Sequence, residues 1–154
     1  MISVVPAGAT KHLRQAKILF EEYAATLDFA LDFQNFEKEL AGLPGNYAPP
    51  EGCLLLARHR GQVAGCVALR KIDRDICEMK RLFVRLSFRH LGIGAALART
   101  VIQEAKKKGY TRMRLDTVPS MKEAQALYEA LGVRKIPPYC HNPVPGALFL
   151  ELEL

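Results

Sequence analysis

From Arg85 to Gly94 the chain reads RLSFRHLGIG, a basic stretch that ends in two glycines two residues apart. The residues on either side leave it few folds. Before it, CEMKRLFV (Cys77–Val84) has the aromatic and apolar content of a strand. After it, Leu97, Val101 and Ala105 recur at four-residue spacing while Arg99, Gln103, Lys106 and Lys107 fall elsewhere, which is an amphipathic helix. Gly109 stops that helix, and the lysines suit the negative end of its dipole. Met113, Leu115 and Thr117 then alternate with Arg112, Arg114 and Asp116, as in a second strand. The unit is strand, glycine turn, helix, strand.

The turn has its own chemistry. A helix N-terminus leaves about four backbone N–H groups without intrahelical acceptors, and the dipole adds partial positive charge there. Glycine lets an anion approach such a backbone closely. With Gly92 and Gly94 opening the helix and Arg89 and His90 just before it, a phosphate or pyrophosphate is the natural guest. A turn that holds no ligand has the same spacing. Two anion-binding patterns compete for this turn. Gly92-Ile93-Gly94-Ala95-Ala96-Leu97 nearly matches a dinucleotide fingerprint, with Asp116 roughly where a ribose-binding acid belongs. Leu97, however, stands where helix–strand packing wants a small residue. The second pattern, Arg/Gln-x-x-Gly-x-Gly/Ala, is met in full by Arg89-His90-Leu91-Gly92-Ile93-Gly94.

The remaining chain fills in around this unit. Ile2–Val5 reads as a strand stopped by Pro6, and Thr10 opens a helix to about Leu27. Phe33–Leu43 reads as a second helix, with Phe36 and Leu40 on one face and Leu43-Pro44-Gly45 ending it. The tandem prolines of Asn46–Gly52 make a loop. Cys53–His59 and Gln62–Lys71 form a hairpin around Arg60-Gly61. Three antiparallel strands thus precede the glycine turn, whereas a dinucleotide fold places it after the first strand. Ser120 caps a helix from about Met121 to Leu131, where Ala124, Leu127, Tyr128 and Leu131 share a face. Gly132 ends it, Val133–Ile136 is a short strand, Pro137–Gly146 a loop, and Ala147–Leu154 the last strand.

Length and composition fit one domain over residues 1–154, with 49% hydrophobic and 25% charged residues arguing against disorder. No apolar run approaches the roughly 18 residues of a membrane span, and the first residues hold no signal-like apolar core. A cytoplasmic protein without a membrane partner is expected. Cys53, Cys66, Cys77 and Cys140 lack C-x-x-C spacing, which favours reduced thiols over a metal site or disulfides. Residues 1–50 hold four Lys/Arg against six Asp/Glu, and residues 51–154 hold 18 against 10. A basic half around the turn fits a phosphorylated ligand. Nucleic acid is disfavoured, because Lys106–Lys108 is a short run at a helix end and no aromatic RNA-binding motif accompanies it.

On the completed loop pattern, the Cys77–Thr117 unit resembles the cofactor-binding core of the GNAT acetyltransferases, and AQALYEALGV (Ala124–Val133) resembles their A-x-x-L-Y-x-x-x-G segment. The strand EMKRL (Glu78–Leu82) and a Tyr-Asn-Pro loop near the end are similar to bacterial members. His90 departs from the glycine that many relatives carry after the arginine. The resemblance implies a mixed α/β (α+β) fold, a central, mostly antiparallel sheet flanked by helices, in the order β-α-α-β-β-β-α-β-α-β-β. It implies an N-acetyltransferase with acetyl-CoA as acyl donor, no metal, and an amine acceptor that is a small molecule or a peptide or protein amine. A homodimer is compatible with it, and so is a non-catalytic acyl-CoA sensor of the same fold.

Residue by residue, the resemblance implies that the backbone of Leu82, Phe83 and Val84 pairs with the pantetheine arm. Arg89, His90, Leu91, Gly92, Ile93, Gly94 and Ala95 would cradle the pyrophosphate. Tyr128 would protonate the departing thiolate, although its spacing alone suits a core tyrosine. Tyr139 is the reserve acid or a wall of the acceptor site. Glu78 is the best single carboxylate for a base, acting through water, against an ion pair with Lys80 or Arg81. Cys140 beside His141 suggests a nucleophile, but adjacency in sequence does not orient such a pair, so direct transfer is expected.

Overall fold

The computed structural model describes residues 1–31 and 35–154. Its elements are β1 (Ile2–Pro6), α1 (Thr10–Thr26), α2 (Phe36–Ala41), β2 (Cys53–His59), β3 (Gln62–Asp73), β4 (Ile76–Val84), α3 (Ile93–Lys107), β5 (Arg112–Thr117), α4 (Lys122–Leu131), β6 (Arg134–Lys135) and β7 (Leu148–Glu153). Element for element this is the expected order. Among the described residues the strands form one seven-stranded sheet, β1-β2-β3-β4-β5-β7-β6. Every pairing is antiparallel except β4 with β5, which α3 connects as a parallel crossover.

Each face of the sheet carries its own core. Strand alternation sends Leu55, Val67, Leu69, Met79 and Met113 to the face covered by α3, whose Ile93, Leu97, Val101 and Ala105 are buried there. The other face meets α1 and α2 through Leu19, Phe20, Phe36 and Leu40, packed on Leu54, Leu56, Cys66 and Phe83. Burying a side chain such as Leu97 stabilises by roughly 1.5–3 kcal/mol, so α3 is held firmly and its N-terminus is fixed relative to β4. Among the described residues no helix is long and apolar enough to cross a membrane.

Several boundaries differ from the sequence expectation. The second helix was expected over Phe33–Leu43 but spans Phe36–Ala41. Phe33 lies outside the described residues, and Pro44 disfavours helical backbone at Leu43, so Gly42 closes the helix. Pro6 belongs to β1, opposite Leu55, because β1 is an edge strand and an edge tolerates a missing donor. Neither Thr10 nor Ser120 caps a helix. The N-cap positions are Ala9 and Met121, without side-chain caps. At the second of these, Gln125 Nε2 donates to Val118 C=O at 2.7 Å. The hairpin turn at Arg60-Gly61 is as expected, with φ of 51° and 78°, the two positive values of a tight two-residue connection.

β4 carries an irregularity that matters for the site. Cys66 pairs with Phe83 and Ala68 with Lys80, so Val67 alone faces Arg81 and Leu82. This is a β-bulge, with Arg81 at φ 60°. Arg81 is buried, donates from Nε and Nη2 to the Glu39 carboxylate at 2.8 and 2.9 Å, and lies 5.3 Å from the Phe36 ring centroid. Tyr47 Oη donates to the same carboxylate at 2.9 Å, so α2 is tied to the bulge.

Candidate active site

β4 and β5 are hydrogen-bonded only at their beginnings, Ile76 to Arg112, Cys77 to Met113 and Glu78 to Arg114. Beyond these pairs the two strands run on to Val84 and Thr117 apart from one another. The edge of β4 from Met79 to Val84 is therefore open toward β5, and an extended ligand could add to it as a strand does.

A groove of about 710 Å³ runs along this edge to the start of α3. Leu82, Phe83 and Val84 line one part, and Arg89, His90, Gly92, Ile93, Gly94 and Ala95 line the end. Leu91, expected among them, is 46% exposed and does not line the groove. Gly92 takes φ 82°, a left-handed conformation that suits glycine and turns the chain into the helix. The first turn closes with Ala96 N–H donating to Gly92 C=O at 3.1 Å. The N–H groups of Ile93, Gly94 and Ala95 thus precede any intrahelical acceptor and face the groove end. Arg89 Nε donates to Val84 C=O at 3.2 Å, which pins the loop to the end of β4. The groove thus offers a helix terminus to an anion and an open strand edge to an extended chain.

At its inner end the groove meets a small cavity of about 50 Å³ in the splay between the strands. Tyr23, Leu82, Met121 and Ala124 line both. Lys80, Asp116, Tyr128 and Asn142 line the small cavity. Tyr128 is buried on α4, and burial, with the Tyr23 and Asp116 charges adding to it, pushes its phenol well above the ordinary value. The hydroxyl keeps its proton, and the same burial makes it a weaker acid than a free phenol. Burial also pushes the Lys80 ammonium down, against the opposing pull of the Glu78 and Asp116 charges.

Glu78 is 1% exposed and does not border that cavity. Arg70 Nε, across the β3–β4 pair, donates to its Oε1 at 2.7 Å, and Tyr139 Oη donates to its Oε2 at 2.6 Å. The ion pair expected with Lys80 or Arg81 is made instead by Arg70, and Arg81 reaches Glu39. As a base, Glu78 would have to exchange one of these donors for water. The Tyr139 ring meets Phe149 edge-on at 5.9 Å, and Arg114 lies 5.6 Å from its centroid.

Cys140 Sγ approaches Asp116 Oδ2 at 3.9 Å, and Asn142 Nδ2 donates to the same oxygen at 3.0 Å. Burial, then the Asp116 and Glu78 charges, push the Cys140 thiol up to about 11, the opposite of an activated nucleophile. Glu78, Asp116 and Cys140 bring ligand-type atoms within 4.8 Å of one another, and each of the three is engaged by an internal partner. Sequence reasoning passed over Lys80, Asn142 and Tyr23, and gave Asp116 a ribose role only. The available signal was strand order, which sets Lys80 at the middle of β4 and Asp116 near the end of its parallel neighbour β5.

Comparison with known proteins gives the class of protein. Residues 16–133 match the model of the Acetyltransferase (GNAT) family. An uncharacterized N-acetyltransferase of Schizosaccharomyces pombe is 38% identical over 99% of this chain and 95% of its own length. A GNAT acetyltransferase structure from Staphylococcus aureus superposes with a TM-score of 0.78 at 21% identity, covering 99% of both chains. One from Elizabethkingia anophelis with acetyl-CoA bound superposes at 0.71 and 23% identity, over 99% of this chain and 98% of that one. The chain belongs to the GNAT acetyltransferase family.

Proposed function

We propose that the protein moves an acetyl group from acetyl-CoA to an amine by direct transfer within a ternary complex. The observation that carries this reading is the continuity of the helix-terminus cradle, the open β4 edge and the Tyr128 cavity along one groove. Bound there, acetyl-CoA supplies the thioester. The α3 N–H groups of Ile93, Gly94 and Ala95 hold the pyrophosphate, with Arg89 and His90 beside it. The backbone of Leu82–Val84 orients the arm so that the thioester reaches the splay. Tyr128, a phenol kept protonated by burial, donates its proton to the departing sulfur. Glu78 holds Tyr139 and Arg70 in place and, through water, can accept a proton. The raised Cys140 thiol supports direct transfer over an acyl-cysteine.

An amine, on a small molecule or on a peptide, is the expected acceptor. A cytoplasmic setting suits four free thiols. Two measurements test the reading. Acetyl-CoA should raise the melting temperature by mass action, and a panel of amines should release free CoA. Stabilisation by acetyl-CoA with no CoA release from any amine would mark a binding module instead.

A further inference from the structure

We infer that Tyr23 sets the length of the acyl group this site holds: its ring walls the passage from the groove into the splay, so that acetyl fits and longer chains do not. This rests on the acetyltransferase reading above and names the donor that the same site selects.

Three observations carry it. The groove and the small cavity share Tyr23, Leu82, Met121 and Ala124, which therefore form the passage between them. An arm laid along Leu82–Val84 must send its acyl group through that passage. The cavity beyond it measures about 50 Å³. A water's share of liquid volume is about 30 Å³, so roughly two water-sized groups fill the space. The methyl of an acetyl group and a nitrogen beside its carbonyl are two such groups. A propionyl chain takes the nitrogen's place, and a butyryl chain exceeds the cavity.

The third observation is that Tyr23 is the one wall of the passage that cannot step aside. Ala124 offers a single methyl, and Leu82 packs toward the α3 core. Met121 is unbranched, and a thioether chain of that kind refits easily. Tyr23 instead extends the buried stripe of Ala16, Leu19 and Phe20 along α1 and packs on the same core. Its ring meets Phe83 edge-on at 5.9 Å, and Phe83 is itself buried beneath α1. Phe83 also belongs to the strand segment along which the arm would lie. Wall and arm are thus fixed to one stretch of β4, and the distance between them does not drift. Burial holds the Tyr23 phenol up to about 12 despite the Arg81 charge, so the wall is uncharged near neutral pH.

The test is calorimetry of the full chain with CoA, acetyl-CoA, propionyl-CoA and butyryl-CoA, free CoA giving each protein its own baseline. Wild type should bind butyryl-CoA at least about 10-fold more weakly than acetyl-CoA, the lower end of what one misfitting methylene is worth, with propionyl-CoA between them. Tyr23→Leu and the deeper Tyr23→Ala should bind butyryl-CoA within about three-fold of acetyl-CoA. Tyr23→Phe keeps the ring and should keep the wild-type ratio, and Met121→Ala should relax it less than Tyr23→Leu does. Melting temperatures establish that each variant is folded, and the wild-type series is decisive without any variant. The inference is overturned if wild type binds butyryl-CoA as tightly as acetyl-CoA. It is overturned equally if folded Tyr23→Leu keeps the wild-type ratio, or if Met121→Ala relaxes it as far. A wild type that binds neither CoA nor acetyl-CoA would instead overturn the reading of function on which it stands.

Discussion

Tyr139 donates its phenolic hydrogen to Glu78 Oε2 at 2.6 Å, and so ties the loop before β7 to a strand 61 residues earlier in the chain. With Arg70 on the other oxygen, the Glu78 carboxylate becomes the knot that joins β3, β4 and this loop. Glu78→Gln should therefore act on stability as well as on rate. An amide can accept one of the two donors but turns its NH₂ toward the other. Leaving one donor unmatched costs about 1–3 kcal/mol, at the lower end here because Arg70 is 34% exposed and can reach water. Urea unfolding at pH 7 checks this, and an unchanged midpoint would remove the structural role.

Acetyl-CoA should not stabilise Gly94→Val. A Cβ at Gly94 would lie 3.8 Å from Val84 Cγ2 and 3.9 Å from Leu127 Cδ2, ordinary contacts that leave the fold intact. The branched side chain would nonetheless stand at the mouth of the helix terminus, where the groove ends. Gly92→Val is a poorer probe, since φ 82° strains any residue with a Cβ by about 1–3 kcal/mol. A folded Gly94→Val protein with the full acetyl-CoA shift in melting temperature would refute the cradle.

Tyr128→Phe keeps the ring on the inward face of α4 and removes one oxygen. Loss of a proton donor is worth about 10²–10⁴-fold in rate. The variant should show that loss in kcat, with acetyl-CoA affinity near wild type and a melting temperature little changed. Full turnover would move the acid role to Tyr139 or to solvent.

Cys140→Ala should keep turnover within a few-fold of wild type. A thiol held up to about 11 is almost wholly protonated near pH 7, so it contributes little as a nucleophile. Mass spectrometry of wild type mixed with acetyl-CoA, without amine, should find no acetylated enzyme. An acetyl group on Cys140 that an added amine removes would point to a two-step route.

Glu151 predicts a pH dependence. It is 2% exposed among Arg112, Arg114 and Arg134, at 3.9, 2.9 and 2.9 Å. Burial raises its carboxyl, but the hydrogen bonds from Arg134 and Arg114 and the Arg112 charge outweigh that, and the net shift is downward. A carboxyl lowered in the folded state adds stability above its unfolded value of about 4.3, and loses it as pH falls through the lower folded value. The stability gap between wild type and Glu151→Gln should be widest near neutrality and close below about pH 4. Urea midpoints from pH 2 to 7 measure it, and a gap that does not vary with pH would contradict the assignment.

The elements could be read from sequence because their signals are local. The four-residue spacing of Leu97, Val101 and Ala105 buries one stripe of α3 wherever the helix docks. Arg89–Gly94 was readable for the same reason, since a helix terminus and its glycines form one continuous segment. The small cavity in the splay was not. Asp116, Asn142 and Lys80 come together through the splay and the loop before β7, a tertiary arrangement that no spacing encodes. Helix caps failed at Thr10 and Ser120 because a hydroxyl near a helix start need not be the residue that turns the chain.

The bulge at Arg81 sets a counting frame for the strand. Lys80 faces Ala68 and Phe83 faces Cys66, residues two apart on β3, so an odd step along β4 returns to the same side of the sheet. Removing Arg81 or Leu82 would leave a single residue facing Val67 and restore a regular ladder, with Lys80 still on Ala68 and Phe83 still on Cys66. Phe83 would keep its place between the sheet and α1, where its ring meets Tyr23 at 5.9 Å, but the strand would lose the bend that the extra residue gives it. A single deletion there should therefore spare the core and act on the open edge from Leu82 to Val84.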